Sequence, residues 1–311
     1  MKKFPKYMYI VNYPTAEEEL CHLEMKVVFG KELEEKMLFS DIEFNPSNSP
    51  FIKTRLEIIY EKDSVEEILE EIIKDKTVYN NFKLEYVRLN NENNISYDER
   101  LAIIKNISNN IQGCHNFKNP EFSFGITKVE DKWLFGINNK NDYKWHSHDN
   151  KPCSYSNSLG VKVAKAVVNI ANGGSKDKTI IDPCCGVGTT LVEALDAGYL
   201  IEGYEINKQI AKNANTNLEF YGFNPIVVND DMHNIKKSYD SSIVDIPYGL
   251  FSHISVDEQR KIIETARRIS RRIVLISFEN HDLILEQSGF KIQHRCIVPK
   301  GKFKRFIVVA E

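Results

Sequence analysis

The sequence is as informative in what it lacks as in what it holds. Its six cysteines (Cys21, Cys114, Cys153, Cys184, Cys185 and Cys296) form no C-x-x-C pair. That spacing argues against a zinc site and against a disulfide framework. There is no excess of basic charge: 41 Lys and Arg against 44 Asp and Glu leave a formal net charge of −3. A general basic field for nucleic acid is therefore excluded, and any grip on a polyanion has to be local. No run approaches the roughly 18 apolar residues that a membrane helix needs. Met1-Lys2-Lys3-Phe4-Pro5 carries a charge cluster but no apolar core of signal-peptide length after it. The expectation is a reduced, cytoplasmic protein with no membrane partner.

What is present is ordinary in bulk and uneven in detail. The chain has 311 residues, 42% hydrophobic and 27% charged, enough for two domains with real cores. The acidic excess lies in the N-terminal half. The most basic stretch is the last, with Lys291, Arg295, Lys300, Lys302, Lys304 and Arg305. The first 140 residues read as mixed α+β. Strands are expected over 7–12, 51–60 and 83–89, with a hairpin of 122–127 and 133–137 around Glu130-Asp131. Helices are expected over 17–29, from Ser64 to near Ile73 and from Ser96 past Ile107, the last two opening with capping-box sequences. Lys140 to Ser158 is polar and turn-rich and reads as a linker. Trp145, His146 and His148 within it are either packing residues or an RNA-facing patch.

From Ser158 a helix runs to Ala171 and ends at Gly173-Gly174. Strands then alternate with helices. The strands fall near 179–182, 200–205, 226–229, 241–245 and 272–277, the helices near 188–197, 207–220, 255–270 and 279–288. That alternation predicts a parallel sheet with right-handed crossovers. Lys291 to Val298 and Phe303 to Ala310 would add an antiparallel hairpin at one edge. The fold class is α/β, preceded by an α+β part.

Two stretches carry chemistry. Asp182-Pro183-Cys184-Cys185-Gly186-Val187-Gly188-Thr189 is a glycine-rich turn between a strand and a helix. Gly186 and Gly188 remove side chains where backbone passes close to a ligand. Thr189-Thr190-Leu191 supplies no third glycine for a dinucleotide turn, and the Gly-Lys-Ser/Thr of a P-loop is absent. Asp182 ahead of the glycines suits a cationic ligand better than a pyrophosphate, and S-adenosylmethionine carries a sulfonium and an ammonium. Glu205, about twenty positions on at the next strand end, is placed to hold a ribose diol. In Asn229-Asp230-Asp231-Met232 a carboxylate could accept from the adenine amine with Met232 against the ring. Asp230 and Asp231 compete for that role, with Asp231 favoured. Cys184 and Ile206 flank these positions and complete the cofactor set.

The second stretch is Asp245-Ile246-Pro247-Tyr248. An exocyclic amine is a poor nucleophile because its lone pair is delocalised. Asp245 and the Ile246 carbonyl could accept its two hydrogens and expose that lone pair. Pro247 restrains Ile246 to extended backbone, and Tyr248 could stack on the base, a contact of roughly 1–3 kcal/mol. Asp245 also borders the cofactor position. Such a site acts by positioning, on a base taken out of its stack.

These residues carry a family resemblance. Asp182 to Thr189 resembles the D-P-x-C-G-x-G-x cofactor motif of amino-methylating nucleic acid methyltransferases, and Asp245 to Tyr248 their [DNS]-P-P-[YF] catalytic motif. Pro152 to Ala171 is similar to the helix they place before the first strand. Ile111-Gln112-Gly113, Phe117-Lys118-Asn119-Pro120-Glu121 and Trp133-Leu134-Phe135-Gly136 are similar to the end of a THUMP domain. Within the class the sequence looks most like the THUMP-domain tRNA guanosine-N2 methyltransferases that act on guanosine 10. The resemblance implies a Rossmann-like catalytic domain over 158–311 and a linker over 141–157. It also implies a THUMP-like RNA-binding domain over 51–140 after an N-terminal ferredoxin-like part over 1–50. S-adenosylmethionine would be the cofactor and tRNA the partner. The family has proline where Ile246 stands; since the backbone carbonyl is the working group, the exchange keeps the acceptor and gives up some rigidity. Rival readings are a DNA adenine-N6 or cytosine-N4 methyltransferase and a non-catalytic RNA-binding protein on a methyltransferase fold. The sequence leaves open whether a small activating partner protein is required.

Overall fold

The computed structural model describes residues 4–89, 95–154, 158–246, 254–301 and 303–311. The chain forms two compact units that alternate along the sequence. Residues 1–12, 33–46 and 51–142 make the first; residues 13–32, 47–50 and 143–311 make the second.

The first unit begins with β1 (Tyr7–Val11); helix α1 (Glu18–Phe29), which follows, belongs to the second unit. Then come β2 (Met37–Ser40), β3 (Ile52–Lys62), α2 (Val65–Lys74), β4 (Tyr79–Tyr86), α3 (Tyr97–Ser108), β5 (Gly113–His115), β6 (Phe122–Val129) and β7 (Lys132–Lys140). Seven strands form one sheet in the order β2-β1-β3-β7-β6-β4-β5, antiparallel except where β4 pairs with β5 and β6. Side chains alternate between two cores. Met8, Ile10, Leu56, Val129 and Leu134 share one, and Phe82, Phe124, Ile126, Trp133 and Phe135 the other. A register shift between Ile58 and Tyr60 moves β3 from the first core to the second, since an extra residue reverses the alternation.

Local expectations hold here with two adjustments. Ser96 and Glu99 form the full capping box of α3. At α2 the Ser64 hydroxyl accepts from the Glu67 N–H, but the Glu67 carboxylate takes the amide of Asp63 instead. Strand β4 starts at Tyr79, earlier than the apolar pattern predicts, because Tyr79 N–H already reaches the Gln112 carbonyl at 2.7 Å beside β5.

The second unit continues with α4 (Val161–Asn172), β8 (Thr179–Asp182), α5 (Thr189–Asp196), β9 (Leu200–Tyr204), α6 (Lys208–Phe220), β10 (Val227–Val228), β11 (Tyr239–Asp245), α7 (Val256–Ile269), β12 (Ser270–Ser277), α8 (Asp282–Gln287), β13 (Ile292–Lys300) and β14 (Phe303–Ala310). Its sheet runs β10-β9-β8-β11-β12-β14-β13, parallel through β12 and closed by the antiparallel β13–β14 hairpin. This is the Rossmann-like α/β sheet with an antiparallel C-terminal hairpin that the alternation predicts. Strand order reverses between β8 and β11, and ligands of such sheets gather beyond the carboxyl ends at that switch point.

Two buried polar networks tie this unit together. Glu24 of α1 is fully buried; it accepts from Asn169 Nδ2 at 2.5 Å and from Ser49 Oγ at 2.7 Å, and burial pushes its carboxyl up to about 8. Tyr199 donates to the Oδ1 of the same Asn169 at 3.0 Å. In the second network, Lys165 Nζ lies 3.2 Å from both Glu193 Oε2 and Asp196 Oδ2, and His148 Nδ1 is 2.6 Å from Glu193 Oε1. His148, Glu193 and Asp196 have metal-like proximity, yet the Lys165 ammonium already lies between the two carboxylates. The stretch that reads as a linker from sequence thus contains a tight helical segment, Lys144–Asn150, with Trp145 and His148 buried, which identifies these two as packing residues.

Candidate active site

At the carboxyl ends of β8, β9 and β11 the second unit encloses a cavity of about 560 Å³. Each strand delivers a carboxylate to it. Asp182 ends β8, Glu205 follows β9, and Asp245 ends β11 beside Ile246. Asp231 and Met232 line it from the turn after β10, and Cys184, Gly186 and Ile206 complete the wall. Asp230 is not among the lining residues; its carboxylate is used locally, accepting from Asp231 N–H and Asn234 Nδ2. Gly188 does not line the cavity either. It caps α5 with φ of +81°, and a Cβ there would meet Ala214 Cβ at 3.4 Å, so its smallness serves packing against α6. Pro247 and Tyr248 lie outside the described residues.

The turn after β8 is held from within. Asp182, 5% exposed, accepts from the Cys184 N–H at 3.2 Å and from the Thr190 hydroxyl. Burial pushes its carboxyl up to about 7, against the lowering effect of those hydrogen bonds. Gly186 has φ of +55°, the left-handed region that favours glycine, and a Cβ there would meet nothing within 4 Å. Its amide donates to Glu205 Oε2 at 3.1 Å, while Glu205 Oε1 accepts from the Asn207 N–H at 2.8 Å. The Glu205 carboxylate therefore braces two loops as well as facing the cavity.

Three residues that sequence reading passed over do the positioning. Asn229 donates through Nδ2 to the carbonyls of both Glu205 and Ile206, 2.9 Å each, fixing a loop whose Ile206 side chain is 69% exposed. Thr190 orients Asp182, and Asn207 both caps α6 and donates its amide to Glu205. Asn and Thr near strand ends are common turn and cap residues, so only the geometry separates these from the rest. Ile246 N–H pairs with the Ile276 carbonyl at 2.9 Å, which carries the strand geometry of β11 one residue past Asp245. Cys184 Sγ lies 3.6 Å from Met232 Sδ, and burial raises the thiols of Cys184 and Cys185, which leaves no thiolate nucleophile there. Glu258, Lys261 and Ile262 of α7 close the far side.

Residues 149–283 match a family model described as UPF0020, RMKL-like, methyltransferase domain. That span of the second unit is thus similar to a methyltransferase domain. Curated relatives are similar over spans of comparable size. The chain is 28% identical over 115 residues to a tRNA (guanine(10)-N2)-dimethyltransferase of Methanothermobacter thermautotrophicus, covering 36% of this chain and 34% of that protein. It is 28% identical over 156 residues to the Pyrococcus abyssi enzyme of the same name, covering 46% of each. The chain thus spans less than half the length of these relatives. Among solved structures, TrmN from Thermus thermophilus aligns over 98% of this chain and 99% of that one, with a TM-score of 0.47 at 12% identity.

The residues lining this cavity fit S-adenosylmethionine on their own chemistry. A ligand bearing a sulfonium and an ammonium meets carboxylates at three successive strand ends, and Gly186 leaves its side of the wall open.

Proposed function

We propose that the protein is an RNA methyltransferase acting on the exocyclic N2 amine of a guanosine in tRNA, with guanosine 10 as the position. The observation that carries the chemistry is the sharing of one cavity by Asp245 and Ile246 with Asp182, Gly186 and Glu205. An amine acceptor and a cation site thereby stand side by side. The substrate assignment is supported by the two relatives, which are tRNA (guanine(10)-N2)-dimethyltransferases, and by the sequence motifs.

In this reading Glu205 holds the ribose diol, Asp231 accepts from the adenine amine with Met232 and Ile206 against the ring, and Asp182 faces the cationic end. When bound, S-adenosylmethionine supplies an electrophilic methyl group on its sulfonium. Asp245 and the Ile246 carbonyl take the two hydrogens of the guanine amine and turn its lone pair toward that methyl. Transfer of the methyl would break its bond to sulfur and release the neutral thioether, while the excess proton on the amine would pass to Asp245 or to water. Tyr248 stacks on the extruded base and Pro247 fixes the Ile246 carbonyl. The first unit, including the THUMP-like span 51–140, would contribute RNA binding, and the enzyme would work in the cytoplasm.

The test is methyl transfer from radiolabelled S-adenosylmethionine to unmodified tRNA, with product nucleosides resolved by mass. The expected product is N2-methylguanosine, and Asp245→Ala is expected to lower kcat at least 100-fold with cofactor affinity kept. Label in duplex DNA and not in tRNA would replace this reading with the DNA amine alternative. Full activity of Asp245→Ala would remove the mechanism.

A further inference from the structure

The β13–β14 hairpin overhangs the same end of the sheet as the active site. β12 and β14 pair antiparallel up to Ser277↔Phe306, whereas β13 and β14 continue through Val298↔Arg305, Pro299↔Lys304 and Lys300↔Phe303. In the parallel part Asp245 is level with Ile276 of β12. The hairpin thus runs past the end of β12 in the direction in which Asp245 ends β11. β14 is two strands from β11, about 10 Å across the sheet.

Phe303, in this overhang, is 69% exposed. It is not a loose apolar residue: its ring packs edge-on against Phe278, centroids 6.2 Å apart at 89°, and the Arg305 guanidinium lies 5.4 Å from the Phe278 ring centre. A largely exposed ring held by one edge-to-face aromatic contact is the form of a stacking platform. In sequence, Lys300, Lys302 and Lys304 stand within three positions of Phe303, in a chain whose net charge is −3. Lysines alone are explained by protection of an edge strand. A held, exposed phenylalanine among them is not, since it invites the association that edge lysines prevent.

We infer that this tip is a nucleobase platform beside the active-site cavity, with Phe303 stacking on a base that neighbours the target nucleotide and Lys304 meeting a phosphate. The inference rests on the RNA reading above. A strand that delivers an extruded base to Asp245 has its flanking bases unstacked nearby, and an aromatic face there holds them without reading their sequence.

The experiment measures tRNA affinity across a salt series, tRNA KM and kcat, and S-adenosylmethionine affinity. It uses the full chain and its Phe303→Ala, Phe303→Trp and Lys304→Gln variants. Phe303→Ala should weaken tRNA binding and raise KM about tenfold, with kcat and cofactor affinity unchanged, and Phe303→Trp should restore both. Lys304→Gln should reduce the slope of log affinity against log salt by about 0.7, one single-strand phosphate contact. Unaltered tRNA affinity in Phe303→Ala would overturn the inference and leave edge protection as the role. Loss of cofactor binding in that variant, or failure of tryptophan to rescue, would make Phe303 structural and overturn it equally. Wild-type protein that binds no tRNA would instead overturn the substrate reading, and the platform with it.

Discussion

Under the proposed function, the buried Asp182 carboxylate would couple cofactor binding to pH. Burial pushes its pKa in the folded protein up to about 7, from an ordinary 3.8. Below pH 7 the group is mostly neutral and offers a cationic ligand no charge; above it the charge is present. S-adenosylmethionine affinity should therefore rise from pH 6 to pH 8 and then level off. Isothermal titration across that range checks it, and Asp182→Asn should bind weakly with the dependence gone. Gly186 makes a complementary case. An alanine at φ of +55° is strained by about 1–2 kcal/mol and points its methyl into open space on the cavity side. Gly186→Ala should lose more cofactor affinity than thermal stability, which titration and melting curves compare directly. The placement of Asp182, Glu205 and Asp245 at strand ends was legible because each depends only on a short apolar run and the residue after it. The bracing by Asn229 and Asn207 was not, because an asparagine beside a turn reads the same whether it holds a catalytic loop or merely ends a strand.

Among the elements, α4 and α5 are joined by charge as well as by apolar contact. Lys165 is 1% exposed and Glu193 fully buried, so removing the ammonium strands a carboxylate in the interior. Lys165→Met should cost about 3–5 kcal/mol of unfolding free energy. The double variant Lys165→Met, Glu193→Leu should recover part of that loss, and chemical denaturation of both proteins tests the pair. Helices α4 to α7 and strands β8 to β14 were readable from periodicity, since each is long enough or framed by glycine and proline. The four-residue β2 escaped, and so did the tight helix carrying Trp145 and His148. Their partners are remote in sequence, and polar composition alone looks like a linker.

For the molecule as a whole, the least legible feature was the membership of α1. Nothing in Glu18 to Phe29 announces that Glu24 will meet Asn169, 145 positions along the chain. That contact carries a pH signature. Burial pushes Glu24 up to about 8 when folded, from an ordinary 4.5, so only the unfolded state gives up the proton between these limits. Stability is thereby lost progressively as pH rises from about 4.5 to 8, the opposite of a salt-bridged carboxylate. Glu24→Gln should flatten this decline, leaving a melting temperature less sensitive to pH and higher than wild type near pH 8.

Because the two units alternate along the chain, neither is finished when its first residues leave the ribosome. Helix α1 is made before the first sheet is complete, yet its partner α4 ends at Asn172. At about 5–20 residues per second, α1 waits roughly 7–30 s with its apolar face uncovered. During that interval Leu20, Leu23, Met25 and Val28, all buried in the finished protein, are available to chaperones and to neighbouring chains. The protein's yield in a cell should then be set by translation speed over the intervening segment as much as by the stability of the native state.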